Sequence, residues 1–325
     1  MDIFISLVLI TIGFVLLIKG ADFLVNGASS LAKRFNASDI AIGLTVVAMG
    51  TSAPELVVNL ISGSKGANDV VFGNIIGSNI FNMFLILGIS AVIFPLTVQK
   101  NALWKEIPYS LVVTIVFWVL VNDRLLFGAE TNSTSMVDGI ILLVLFAVFL
   151  VYVFLNMTQG GGESALDGED IELYGSLKTT ILIVAGIAGL AFGGQLIVDN
   201  AIKIAESFGV SQRLIGLTIL AAGTSLPELA TTAVAAFHKK SDLAVGNIIG
   251  SNIFNLLLVL GATAVVNSPL IFDTALNIDL YLVMFGTILL FLFMFTFQKF
   301  KLDRSEGVLY LLGFAGYMVF LFQRL

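Results

Sequence analysis

Apolar runs long enough to cross a bilayer, about 20 residues each, recur along the whole chain from Ile3 to Phe322, separated by polar breaks. The breaks predict ten spans, centred on residues 3–20, 40–62, 70–94, 106–121, 136–155, 177–198, 214–237, 243–266, 278–297 and 306–322. Membrane β-strands alternate polar and apolar positions over about ten residues. These runs are continuous and twice as long, so helices are expected, because in lipid a helix satisfies its own backbone. The expected fold is an all-α integral membrane protein.

Composition agrees with the pattern. Of 325 residues, 58% are hydrophobic and 12% charged, with a mean hydropathy of +1.03, whereas a soluble domain carries about 25% charge. A water-soluble fold is excluded. The net charge of −6 says little about partners, since much of it comes from Glu163, Asp167, Glu169, Asp170 and Glu172 in one loop. No basic patch points to nucleic acid, and no obligatory protein partner is evident beyond the lipid bilayer. The absence of Cys excludes disulfides, thiolate metal sites and Cys nucleophiles. The chain opens on Asp2 rather than a basic stretch, and no small-residue cleavage site follows the first run, so that span is expected to be retained.

With the N-terminus outside, the inner loops hold Lys33, Arg34, Lys100, Lys105, Lys178, Lys239, Lys240, Lys299, Lys301 and Arg304, against Lys65, Arg124, Lys203, Arg213 and Arg324 outside. The positive-inside rule therefore places both termini on the outer side of a cell (plasma or inner) membrane. The one long break, Asn156 to Gly175, contains three consecutive glycines and the acidic cluster. It reads as a solvated cytoplasmic linker, and its carboxylates lack the spacing of an EF-hand. The expected organisation is residues 1–155, a linker over 156–175, and residues 176–325.

The two halves are copies. An offset of 173 sets IGLTVVAMGTSAPEL (42–56) on IGLTILAAGTSLPEL (215–229) and GNIIGSNIFN (73–82) on an identical segment at 246–255. Between residues 42 and 93 there are 27 identities in 52 positions without a gap, which marks a duplication. Five spans per half is an odd number, so the second copy would enter the membrane from the opposite side. Inverted repeats of this kind place a binding site near the midplane, on helices interrupted by Gly or Pro.

Glu55 and Glu228 fall mid-span, where a carboxylate costs at least about 2.5–3.5 kcal/mol unless paired or hydrated. No Lys or Arg lies within either motif, which leaves a bound metal ion or protons as compensation. Pro54 and Pro227 lack an N–H, so the carbonyls of Gly50 and Gly223 are expected to lose their helical partners and the helix to open. Thr51, Ser52, Thr224 and Ser225 add hydroxyls; Ser78 and Asn82, four apart on one face, add further oxygens, as do Ser251 and Asn255. Hard oxygen ligands suit Ca²⁺ and Na⁺ over softer metals.

Several features have plainer readings. The pairs Gly73/Gly77 and Gly246/Gly250 permit close helix packing. Asn79 and Asn252 are expected to bond between helices, and His238 to be a solvated loop residue. Asp22 and Lys19, whose repeat counterparts are Gln195 and Phe192, read as a local ion pair or snorkelling.

The duplicated GTSxPE and GxxxGSxxxN segments resemble the cation/calcium exchanger superfamily, above all its prokaryotic sodium/calcium exchangers, over essentially the whole chain. The resemblance implies ten transmembrane helices in two inverted-topology five-helix repeats, alternating access by sliding of the first and sixth helices, and Na⁺ and Ca²⁺ sites at the centre. Carried over by motif position, it implies ligands at Ala48, Thr51, Ser52, Glu55, Ser78, Asn82, Ala221, Thr224, Ser225, Glu228, Ser251 and Asn255, the two Ala through their carbonyls. Some relatives, including many potassium-dependent ones, have Asp where this chain has Asn255, which weakens the case for K⁺ co-transport. The linker is too short for the regulatory calcium-binding domains of animal relatives.

The function expected is Ca²⁺ exchange for Na⁺, electrogenic because two ionised Glu balance one Ca²⁺ while three Na⁺, the family's usual count, leave one positive charge. The alternatives are a H⁺/Ca²⁺ exchanger, a K⁺-dependent exchanger and a passive channel. No cofactor is implied. An enzyme is disfavoured, because no nucleophile or metal-binding His accompanies the carboxylates.

Overall fold

A computed structural model describes residues 3–100, 102–157, 173–209 and 221–324. Every long element is a helix. Helix α1 spans Ile3–Arg34. Helices α2 (Asp39–Thr51) and α3 (Ala53–Ser64) are two arms bent by 46°. Then come α4 (Asn68–Ile93), α5 (Ala102–Val121), a short α6 (Asp123–Phe127) and α7 (Met136–Asn156). The second half supplies α8 (Ser176–Ser207), α9 (Ala221–Thr224), α10 (Leu226–Phe237), α11 (Ser241–Asn267), α12 (Thr274–Phe293) and α13 (Arg304–Arg324).

Among the described residues, eight helices are long and apolar enough to cross a membrane, nine if the bent α2–α3 pair counts as one span, with α10 as a shorter apolar helix. The span expected over 214–237 lies partly outside the described residues, as do most of the linker and its acidic cluster.

Two elements outrun their expected lengths. Hydropathy ends the first span at residue 20 and the sixth at 198, yet α1 and α8 each run for 32 residues, about 48 Å at 1.5 Å per residue. Two polar positions of α1 beyond Gly20 are covered by protein rather than by lipid. Ser29 and Ser30 are buried; Lys240 Nζ donates to Ser29 Oγ at 2.8 Å, and Ser30 Oγ lies 3.1 Å from Thr179 Oγ1. Once such groups are satisfied internally, the helix continues.

Helices α1 and α8 cross at their glycines. A Cβ on Gly13 would meet Gly193 O at 2.9 Å, and one on Gly193 would meet Gly13 O at 2.8 Å. Gly20 and Gly186 stand in the same relation, at 2.9 Å each way. The backbones touch, and the helices run antiparallel. Gly186 and Gly193 are the counterparts of Gly13 and Gly20 at the 173-residue offset, so each glycine meets the copy of the other, as across a two-fold axis.

The same reciprocity governs the ends of the helices. Strand β1 (Leu96–Thr97) pairs antiparallel with β4 (Lys301–Leu302), and β2 (Ser133–Thr134) with β3 (Leu270–Ile271), so each half's first strand binds the other half's second. Helices α7 and α13 have 21 residues each and matching starts: Asp138 Oδ2 accepts from Ser135 N, and Glu306 Oε2 from Asp303 N, both at 2.8 Å. A Cβ on Gly139 in α7 would meet Gly261 O in α11 at 2.8 Å, while one on Gly88 in α4 would meet Gly307 O in α13 at 3.0 Å. Around this frame the outward face is apolar, as at Phe4, Val15, Val144, Leu177 and Phe285, all exposed.

Candidate functional site

The site forms where α2–α3 and α9–α10 break. Both breaks fall on serine: Ser52 has φ −84° and ψ 6°, and Ser225 has φ −89° and ψ 6°. Pro54 and Pro227 follow in the first turn of the next helix, a position where a missing N–H leaves no helical bond unmade. The opening expected near Gly50 and Gly223 therefore occurs two residues later. Ala48 O accepts from Ser52 N at 2.9 Å and from Thr51 Oγ1 at 3.3 Å, so helix α2 holds through Thr51. Ala221 stands at the start of α9.

Each break carries its glutamate into the other half. Ser52 Oγ donates to Glu228 Oε1 at 3.0 Å, and Ser225 Oγ to Glu55 Oε1 at 3.4 Å. Ser225 Oγ also donates to Ser78 Oγ at 3.1 Å, and Thr51 Oγ1 lies 3.5 Å from Ser251 Oγ. The hydroxyls and carboxylates singled out in the sequence thus come together, across the halves rather than within them. Both glutamates are 0% exposed, and no ion pair reaches either among the described residues.

Helices α4 and α11 face these breaks, and each contains a π-helical turn, Phe81–Ile86 and Asn255–Val259. Such turns displace side chains from the regular helical register. Asn82 Nδ2 donates to Asn252 Oδ1 at 3.0 Å, and Asn255 Nδ2 to Asn79 Oδ1 at 3.1 Å. Asn79 and Asn252 are thereby the interhelical hydrogen-bonding residues expected of them, and they orient Asn82 and Asn255.

Two participants escaped the sequence reading. Asn74 Oδ1 accepts from Thr224 Oγ1 at 3.1 Å, and Asn247 Oδ1 accepts from Thr51 Oγ1 at 3.3 Å. Asn74 precedes Ser78 and Asn82 by one and two helical turns, so 74, 78 and 82 form a single stripe; that spacing was the available signal.

The oxygens left over define what the site can do. Glu55 Oε2, Glu228 Oε2, Asn82 Oδ1 and Asn255 Oδ1 are buried acceptors with no donor among the described residues. Two carboxylates and two amide carbonyls present only negative ends, and a buried charge without a partner is costly. A hard cation, or protons on the carboxylates, would answer all four.

The plainer expectations fare unevenly. Gly246 and Gly250 do permit close packing: a Cβ on Gly246 would meet Ile40 O at 2.7 Å, and one on Gly250 would meet Ala48 Cβ at 2.8 Å. A Cβ on Gly73 or Gly77 would meet nothing within 4 Å among the described residues. Lys19 Nζ is 3.9 Å from Asp22 Oδ2, a local ion pair as expected. His238 is not merely solvated: its Nε2 lies 3.1 Å from Asp22 Oδ1, because the lengthened α1 passes beside the end of α10.

A family profile described as sodium/calcium exchanger protein matches residues 5–155 and 178–323. A putative antiporter, CaxA, of Alkalimonas amylolytica is 39% identical over 324 residues, covering 98% of this chain and 99% of that protein. A sodium/calcium exchanger, MaX1, of Methanosarcina acetivorans is 28% identical over 356 residues, covering 98% and 99%. A solved structure of the sodium-calcium exchanger NCX_Mj, soaked with zero Na⁺ and Ca²⁺, superposes with a TM-score of 0.84 at 31% identity, covering 98% of this chain and 100% of that one.

Proposed function

This chain belongs to the sodium/calcium exchanger family, and we propose that it is a secondary-active antiporter that moves Ca²⁺ in exchange for Na⁺ by alternating access. The observation that carries the reading is the set of four acceptors without a donor among the described residues, Glu55 Oε2, Glu228 Oε2, Asn82 Oδ1 and Asn255 Oδ1, two from each half. Ca²⁺ brings two charges to two carboxylates, and the neutral oxygens of Thr51, Ser52, Ser78, Thr224, Ser225 and Ser251 fill out a shell that Na⁺ needs and a proton does not. Ala48 and Ala221 contribute carbonyls, Ala48 at the expense of one of its helical bonds. Three Na⁺ against one Ca²⁺ makes exchange electrogenic.

The transport architecture proposed is ten helices in two inverted five-helix repeats, residues 1–155 and 176–325, joined by a cytoplasmic linker, with both termini outside. The reciprocal contacts of Gly13 with Gly193 and Gly20 with Gly186 support it, since antiparallel packing of α1 on its own copy α8 is what inverted repeats produce. Alternating access follows if these two helices move together past the rest. The two cargoes compete for one pair of carboxylates, so coupling requires only that the empty site not reorient.

The test is replacement of Glu55 or Glu228 by Gln in purified protein reconstituted into vesicles. Each variant should fold and insert, and should lose coupled ⁴⁵Ca²⁺ uptake by at least about 100-fold, the loss of one charge-bearing ligand. Coupled uptake near the parent rate would refute the assigned site.

A further inference from the structure

Outside the central site, the two halves differ at one buried carboxylate. Glu106 in α5 and Asp279 in α12 occupy the same repeat position, 173 residues apart. Asn156 and Arg324 occupy the same position at the ends of α7 and α13. In the second half, Arg324 Nη1 lies 3.0 Å from Asp279 Oδ2, which gives the carboxylate a fixed cation. In the first half that place is held by a neutral amide.

Glu106 is nonetheless buried, at 7% exposed. Its Oε1 accepts from Tyr152 OH at 2.8 Å, and its Oε2 has no donor among the described residues. No Lys, Arg or His nitrogen lies within 4.0 Å of it among the described residues. It lines a small cavity with Ser38, Gln99, Lys105, Tyr152 and Asn156. Asn156 Nδ2 donates to Tyr152 O at 2.8 Å, so the atom this side chain can offer a cation is its Oδ1. Lys105 Nζ stands 6.0 Å over the Tyr152 ring centroid rather than on the carboxylate.

We propose that this cavity binds an alkali cation, Na⁺ or K⁺, at Glu106, where it replaces the guanidinium that Arg324 supplies to Asp279. One carboxylate with neutral amide, hydroxyl and phenol oxygens matches a single positive charge. Divalent sites gather several carboxylates, and no group of three Asp, Glu or His assembles among the described residues. The cation would tie the start of α5 to the end of α7 and to Ser38, which caps α2 by accepting from Ala41 N.

The experiment uses the full chain with Glu55→Gln and Glu228→Gln, so that the central carboxylates cannot answer, and makes no use of transport. Thermal unfolding is followed in NaCl, KCl and N-methylglucamine chloride at equal ionic strength. The midpoint should rise saturably by about 3–6 °C in Na⁺ or K⁺. Adding Glu106→Gln should abolish that rise. Asn156→Arg, which keeps the carboxylate and gives an answer should Glu106→Gln not fold, should raise the midpoint in N-methylglucamine and remove the alkali response. No response, a response that survives both substitutions, or one that appears only after Lys105→Met would overturn the proposal; the last would show that Lys105 is the counter-charge.

Discussion

Ser52 donates to Glu228 across 176 positions of sequence, at 3.0 Å, so the hydroxyl at the break of one half fixes the carboxylate of the other. A hydrogen bond to a charged group contributes about 1.5–3 kcal/mol. Ser52→Ala should therefore raise the Ca²⁺ concentration for half-maximal exchange roughly tenfold or more, with the maximal rate less affected. Initial ⁴⁵Ca²⁺ uptake across a Ca²⁺ series gives the answer; an unchanged half-saturation point would remove Ser52 from the site.

Close backbone contact between α1 and α8 predicts a different kind of defect. A Cβ on Gly20 would meet Leu190 N at 2.7 Å and Gly186 O at 2.9 Å, so Gly20→Val forces the two helices apart. Exchange should slow by at least about tenfold if the pair moves as a unit, while Ca²⁺ binding measured calorimetrically changes little, because Gly20 contributes no ligand. Equal exchange rates in the two proteins would rule out that coupling.

Much of the site was legible because its parts are duplicated. Glu55 and Glu228 stand out as carboxylates inside apolar spans, and the identical ten-residue segment around Ser78, Asn82, Ser251 and Asn255 points to the facing helices. The length of α1 was not legible, because a hydropathy run counts Lys19, Asp22 and Asn26 as exits from lipid. In the fold the polar Ser29 and Ser30 that follow them find Lys240 and Thr179, and such partners come from distant sequence. Asn74 and Asn247 show the same dependence: their partners Thr224 and Thr51 come from the other half of the chain. The helix break at Ser52 rather than Gly50 depends on where the bend relieves Pro54, which side-chain chemistry alone does not set.

Asp279 and Arg324 give a stability prediction. Asp279 is 3% exposed and its Oδ1 has no donor among the described residues, so Arg324→Met leaves a buried carboxylate without its cation. The cost should be on the order of 3 kcal/mol, seen as a lower unfolding midpoint. Adding Asp279→Asn should recover most of it, since the pair is coupled. Additive losses in the double variant would show that the two residues act independently.

The most direct test of the account is ⁴⁵Ca²⁺ uptake into vesicles carrying the purified protein, with the outward gradient supplied by Na⁺, by K⁺ or by pH alone, one at a time. The oxygen shell shared around Glu55 and Glu228 predicts rapid uptake driven by Na⁺, accelerated by an inside-positive potential as three Na⁺ leave for each Ca²⁺. Uptake driven equally well by pH alone, with no Na⁺ present, would contradict it.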